Sequence, residues 1–77
     1  MKHRLDVRYL LCPMPVIRTQ DAVSKLAAGE QLEVVCTDPG ALNDVPAWCR
    51  INGHTVLESR EQGGEIIILI EVGHGDA

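Results

Sequence analysis

The alternation of apolar and polar positions divides the chain into six segments. Residues 3–10, "HRLDVRYL", set Leu5, Val7 and Tyr9 against Asp6 and Arg8, the two-residue period of a half-buried strand. From 13 to 28 the period lengthens. Val16, Val23 and Ala27 fall on one stripe flanked by Ile17 and Leu26, which predicts a helix, and Gly29 follows where a left-handed cap is expected. "QLEVVCT" at 31–37 is a second strand with Leu32, Val34 and Cys36 on one face. "DPG" opens a second helix reaching to about 52, with Asp38 as its cap and Pro39 at its first position. Pro46 either kinks or restarts this helix behind Asp44, and Asn52-Gly53 ends it. Residues 54–61 and 65–72 are two further strands joined by "QGG", a hairpin turn.

The order β-α-β-α-β-β, with right-handed crossovers, predicts an α+β fold. It is a two-layer α/β sandwich, a four-stranded mixed sheet with both helices on one face. The expected unit is one domain over residues 1–77, ordered from about 4 to 72, with 73–77 as a frayed tail. In the last strand Ile66, Ile68, Ile70 and Val72 take the core face. Ile67 and Leu69 point outward and, with Val35 and either Val56 or Leu57, leave an apolar island on the uncovered face. Both helices start at the same edge of the sheet, so "CPMP" and "DPG" become neighbours where open α/β sheets carry their sites.

Composition narrows the function. The chain has 77 residues, and a domain this small buries only about 60% of its unfolded surface, so chemistry belongs at the surface, with a partner. With no Phe, one Tyr and one Trp, the core must be built from Val, Ile, Leu and Ala. Seven scattered basic residues against eleven acidic ones, net −4, argue against a direct nucleic-acid partner. Asp6 and Arg8 break the opening "MKHRLDVRYLLC" as a secretion signal. The longest apolar run, 66–70, is far too short for a membrane span, so no membrane partner is expected. The expectation is a cytoplasmic monomer, with a weak dimer through the outer face as the alternative. Its three cysteines, an odd number, do not suggest a disulfide framework. Scattered histidines and no C-x-x-C pair predict neither a metal site nor a cofactor.

"LLCPMPV" at 10–16 carries the chemistry. Proline suits a first helical turn, where its missing N–H would have no partner anyway. Pro13 is then the first helical residue, Cys12 the N-cap, and Pro15 is tolerated at the third position. The amides of Met14 and Val16 remain free, and together with the positive end of the helix dipole they favour thiolate, the nucleophilic form. The competing reading is an ordinary helix start with Cys in place of Ser or Asp. Pro15 occupies the position a resolving cysteine would need, which excludes a thioredoxin-like pair. A lone exposed thiolate with no enclosed pocket suits handing a group from one protein to another.

Leu5-Asp6, Cys12-Pro13-x-Pro15, Gly29-Glu30, Asp38-Pro39 and Asp44-x-Pro46-x-x-Cys49 together resemble the TusA/SirA/YedF family of small sulfur carriers, over about residues 4–72. The resemblance implies the same βαβαββ sandwich. It implies a persulfide carried on the residue matching Cys12, loaded by a cysteine desulfurase or rhodanese-type donor and passed to an acceptor protein. Family fates include tRNA 2-thiouridine synthesis, sulfur oxidation and cofactor assembly. If an activity is assigned, it is that of a sulfurtransferase. Pro13, Met14, Pro15, Asp38 and Pro39 are the supporting residues. This chain departs from many members at Tyr9, where they have Gly, and at Leu11, where they have a polar residue. Cys36 reads as a core thiol, Cys49 as structural before catalytic, and Trp48 as packing. Arg18 and Lys25 read either as docking charges or as an ordinary solvated face. Two alternatives stay open: a redox-sensing thiol pairing Cys12 with Cys49, and a non-catalytic interaction module.

Overall fold

The computed structural model of the protein describes residues 2–11 and 13–73. The elements are β1 (Lys2–Val7), α1 (Met14–Val23), β2 (Gln31–Cys36), α2 (Ala41–Ile51), β3 (Thr55–Gln62) and β4 (Glu65–Glu71). The sheet order is β1-β2-β4-β3: β1 pairs parallel to β2, while β4 is antiparallel to both β2 and β3. This is the βαβαββ sandwich expected from the alternation.

The central strand β4 carries the purest alternation. Ile66, Ile68 and Ile70 are completely buried, and each such side chain contributes roughly 1.5–3 kcal/mol relative to an exposed one. They meet Leu32, Val34 and Cys36 from β2 and Val45 and Cys49 from α2 in one core. Its tight turn to β3 is Gly63-Gly64 at φ +60° and +84°, positive at both central positions as a two-residue hairpin turn requires.

The observed boundaries correct several expectations. β1 ends at Val7, and Tyr9 leaves the strand with φ +69°. α1 ends at Val23, where the Ser24 hydroxyl donates to the Asp21 carbonyl (2.6 Å) and the next amides turn tightly back to Ala22 and Val23. Gly29 keeps a left-handed φ of +92° but turns the chain into β2 instead of capping the helix. The buried stripe of α1 is Pro15, Thr19 and Val23, whereas Val16 is half-buried and Ala27 exposed. Thr19 can lie in the core because its hydroxyl donates to the Pro15 carbonyl at 2.7 Å. α2 runs unbroken through Pro46, with Asp44 in its first turn.

Gly73, placed in the frayed tail by the sequence, is tied down: its amide donates to His54 Nδ1 at 3.0 Å. Residues 74–77 lie outside the described residues. On the uncovered face Val35 is 1% exposed, and Ile67 and Leu69 are half-buried. The Arg60–Glu58 and Arg8–Asp6 pairs sit among their neighbours on adjoining strands, so the apolar island is smaller than the sequence suggests.

Candidate functional site at the helix-start edge of the sheet

Two loops leave the sheet at the C-terminal ends of β1 and β2, and the structure joins them. The Tyr9 amide donates to Thr37 Oγ1 at 2.8 Å, which ties residues 8–11 to the turn at 37–40. The expected proximity of the two helix starts is seen in this contact, whose acceptor, Thr37, sequence reasoning had not singled out. Tyr9 is 82% exposed and Leu11 75% exposed, so both apolar departures from the family pattern stand out from the surface at this edge.

Cys12 itself lies outside the described residues. Its neighbours Pro13 and Leu11 are exposed, Met14 is half-buried, and Pro15 is in the core. α1 begins one residue later than expected, at Met14, with Pro13 as its N-cap (φ −96°, ψ 13°) and Pro15 at the second helical position. The Met14 amide donates to the Leu11 carbonyl at 2.8 Å, and the Val16 amide to the Pro13 carbonyl at 3.1 Å. Both donors assigned to a thiolate are therefore taken up by the turn. What the helix start offers an anion is the dipole of α1 rather than those two amides.

The second loop also differs in detail. Asp38 does not cap the helix directly and Pro39 is not helical; Gly40 is the N-cap of α2. Asp38 Oδ1 accepts the Gly40 amide at 3.1 Å, and its carbonyl accepts the Ala41 amide at 3.0 Å, so Asp38 shapes the turn that leads into α2. A Cβ added at Gly40 would meet the carboxylates of both Asp38 and Asp44 at ordinary contact distance, 3.6 and 3.8 Å. Arg8, four residues before Cys12, is committed elsewhere. It donates to Asp6 (2.9 Å) and to Glu65 (3.1 Å), holding the Asp6 carboxyl down to about 2.

The other two cysteines are inert. Cys36 is fully buried, with its S–H donating to the Ile66 carbonyl (3.6 Å), and burial, with the Asp38 charge, pushes its thiol up. Cys49 is also fully buried, and burial pushes its thiol to about 11. A resolving cysteine has to be reachable and ionisable, and Cys49 is neither, so the two-cysteine sensor loses its partner. Trp48 packs against the core and stacks on His54, ring centroids 5.1 Å apart. Among the described residues no cluster of His, Cys, Asp or Glu could hold a metal ion. None of their helices is long and apolar enough to cross a membrane.

A small βαβαββ sandwich whose two helix starts converge on one sheet edge defines the class. The model of the family described as Sulfurtransferase TusA matches residues 3–72, and the chain belongs to that family. The chain is 44% identical to YrkI of Bacillus subtilis over 69 residues, covering 90% of this chain and 92% of that one. It is 36% identical to the sulfur carrier protein TusA of Allochromatium vinosum over 67 residues, 87% and 88% of the two chains. Among solved structures, the SirA-like protein of Desulfitobacterium hafniense superposes with a TM-score of 0.83 at 26% identity, covering 94% of this chain and 99% of that one.

Proposed function

We propose that the protein is a sulfur carrier whose Cys12 receives sulfane sulfur and hands it on. The observation that carries this reading is the family match across residues 3–72, which includes the C-P-M-P stretch. The Cys12 thiolate attacks the terminal sulfur of a persulfide on a donor protein. A new S–S bond forms on Cys12 as the donor's S–S bond breaks, and the donor cysteine leaves as thiolate. Cys12 then carries –S–SH, with no net change in oxidation state. The next acceptor thiolate repeats the exchange and restores free Cys12.

A cysteine desulfurase or rhodanese-type protein supplies the sulfur, in the cytoplasm, to residues 3–72 acting as one carrier domain. tRNA thiolation, sulfur oxidation and cofactor assembly all consume sulfur in this form. Pro13, Met14 and Pro15 set the start of α1, while Asp38 and Pro39 build the facing turn. Exposed Tyr9 and Leu11 offer a partner an apolar foothold on either side of Leu10.

Intact-mass measurement after incubation with a cysteine desulfurase and cysteine tests the reading. The wild type and the Cys36→Ser and Cys49→Ser variants each gain a sulfur atom, and Cys12→Ser gains none. A wild type that stays unmodified overturns the proposal. Loss of loading in a folded Cys49→Ser variant replaces it with a two-cysteine mechanism.

A further inference from the structure

The two edges of the sheet are built differently. β3 is interrupted by a register shift between Val56 and Glu58, and Glu61, level with Ile66, puts a charge on the core face. Bulges and inward charges protect an edge from strand addition. β1 has neither. It pairs with β2 on one side only, in regular register from Lys2↔Gln31 to Val7↔Cys36. Its core face carries His3, Leu5 and Val7, and Lys2, Arg4 and Asp6 all lie on the uncovered face. Leu5 is only half-buried, because a groove of about 280 Å³, floored by Leu5, Ala22, Leu26 and Leu32, stays open between β1 and α1.

Charges of one sign along an edge strand keep other copies away. On β1 the signs are arranged otherwise: Arg4 and Asp6 stand on either side of Leu5, opposite in sign and on one face. In an antiparallel pair, residues directly opposite each other share a face and their side chains meet. A two-fold axis that pairs β1 with its own copy sets one residue opposite itself. With Leu5 on the axis, Arg4 faces the second copy's Asp6, and Asp6 faces its Arg4. On the core face Leu5 then meets Leu5, and His3 meets Val7. The neighbouring axes, at Arg4 or at Asp6, set like charges against each other. Charge therefore selects the register.

The groups are available. Arg4 is exposed and, among the described residues, makes no ion pair, although Glu33 is its register neighbour and Asp6 feels its charge. Asp6 is held by Arg8 of its own chain at 2.9 Å, yet its side chain is 51% exposed, and a carboxylate oxygen accepts more than one hydrogen bond. Lys2 would face Arg8, but Arg8 lies past the end of β1 and is neutralised by Asp6 and Glu65.

We propose that β1 pairs antiparallel with the β1 of a second copy, about Leu5, making one sheet continuous across the two chains. The axis stands perpendicular to the sheet. Both helix layers then lie on one side, and the two grooves meet over the paired leucines. The same axis reverses strand direction, so the two helix-start edges point opposite ways and both stay open to partners. Six residues a side is small beside the roughly 20–30 of a standard interface, so association is reversible. The pairing uses no sulfur chemistry and stands apart from the carrier reading.

Sedimentation equilibrium over a concentration series reads the association. Wild type and Cys12→Ser both rise from 8.4 kDa toward twice that mass, and added salt weakens the association. Arg4→Glu leaves positions 4 and 6 both acidic, and Asp6→Lys leaves both basic. Each variant alone associates at least about tenfold more weakly. An equimolar mixture of the two associates again, because position 4 of each then faces an opposite charge at position 6 of the other. Leu5→Cys, in a Cys12→Ser background, gives a disulfide-linked dimer on mild oxidation. Should Asp6→Lys melt early, that cross-link decides, and its absence overturns the proposal. A wild type that stays monomeric at every concentration overturns it too, as does a mixture of folded variants no more associated than each alone. Association lost in Ile67→Lys/Leu69→Lys but kept in Arg4→Glu moves the contact to the uncovered face and rejects the β1 edge.

Discussion

The two ends of the sandwich are built on opposite plans. At the end where β2 begins and β4 finishes, backbone holds backbone. The Gly29 amide donates to the Val72 carbonyl at 2.7 Å, the Val72 amide to Glu30 at 2.8 Å, and the His54 amide to Cys49 at 2.8 Å. The chain there packs so closely that a side chain at Gly73 would meet the Gly53 carbonyl oxygen. At the helix-start end, among the described residues, the two loops meet through a backbone-to-side-chain bond, Tyr9 to Thr37, and large apolar side chains stand in solvent. The difference separates tasks: one end secures the fold, and the other leaves a surface for partners.

The sharpest way to break this contrast is Gly73→Ala. The added Cβ would run into the Gly53 carbonyl oxygen, so two backbone segments must move apart. A loss of about 2–4 kcal/mol in urea denaturation is expected, with sulfur loading intact in the fraction that remains folded. A loss below about 0.5 kcal/mol would mean that this end is not the anchor.

Tyr9→Gly should act the other way. Relief of a left-handed backbone in a bulky residue outweighs the greater freedom of glycine in the unfolded chain, for a net gain of roughly 0.5 kcal/mol. Transfer from a protein donor slows while loading by a small polysulfide does not, because the exposed ring serves docking and not chemistry. Equal rates with the protein donor would show Tyr9 to be merely strained.

The smallest effect is on pH. His54 Nδ1 accepts the Gly73 amide, and burial lowers the pKa of the ring from 6.5. The folded state thus binds fewer protons than the unfolded one, so stability is complete above about pH 6.5 and declines as pH falls toward the folded value. His54→Asn keeps an acceptor and removes the titration. Denaturation midpoints between about pH 7 and 5 should slope less in the variant, and an unchanged slope would assign the effect to other groups.

How much of this was legible depended on what periodicity can register. β4 is apolar throughout 66–70, yet its burial alternates without interruption, and the inward set expected from a two-residue period is the buried set. α1 was read from Val16, Val23 and Ala27, whereas its buried stripe is Pro15, Thr19 and Val23, because a proline ring packs well and a threonine can satisfy its hydroxyl locally. Tyr9 continues the alternation of Leu5 and Val7, yet the chain reverses there, and nothing in a two-residue period signals a positive φ. The Cys12 stretch was visible as a helix start with two prolines. That its neighbouring amides are consumed by the turn is a matter of hydrogen-bond geometry, which composition does not carry.

The strand order has a consequence for how the molecule comes into being. β4, last of the six elements, is inserted between β2 and β3 and supplies the fully buried Ile66, Ile68 and Ile70. While the chain is being synthesised, β1, β2 and both helices emerge with their main apolar counterpart still unmade. They cannot settle into a stable half-structure. Only the β3–β4 hairpin is local; the parallel β1–β2 pairing and the β2–β4 pairing both join distant stretches. Assembly is therefore a single late event, and a nascent chain stalled before residue 65 should be recognised by chaperones and proteases as unfolded.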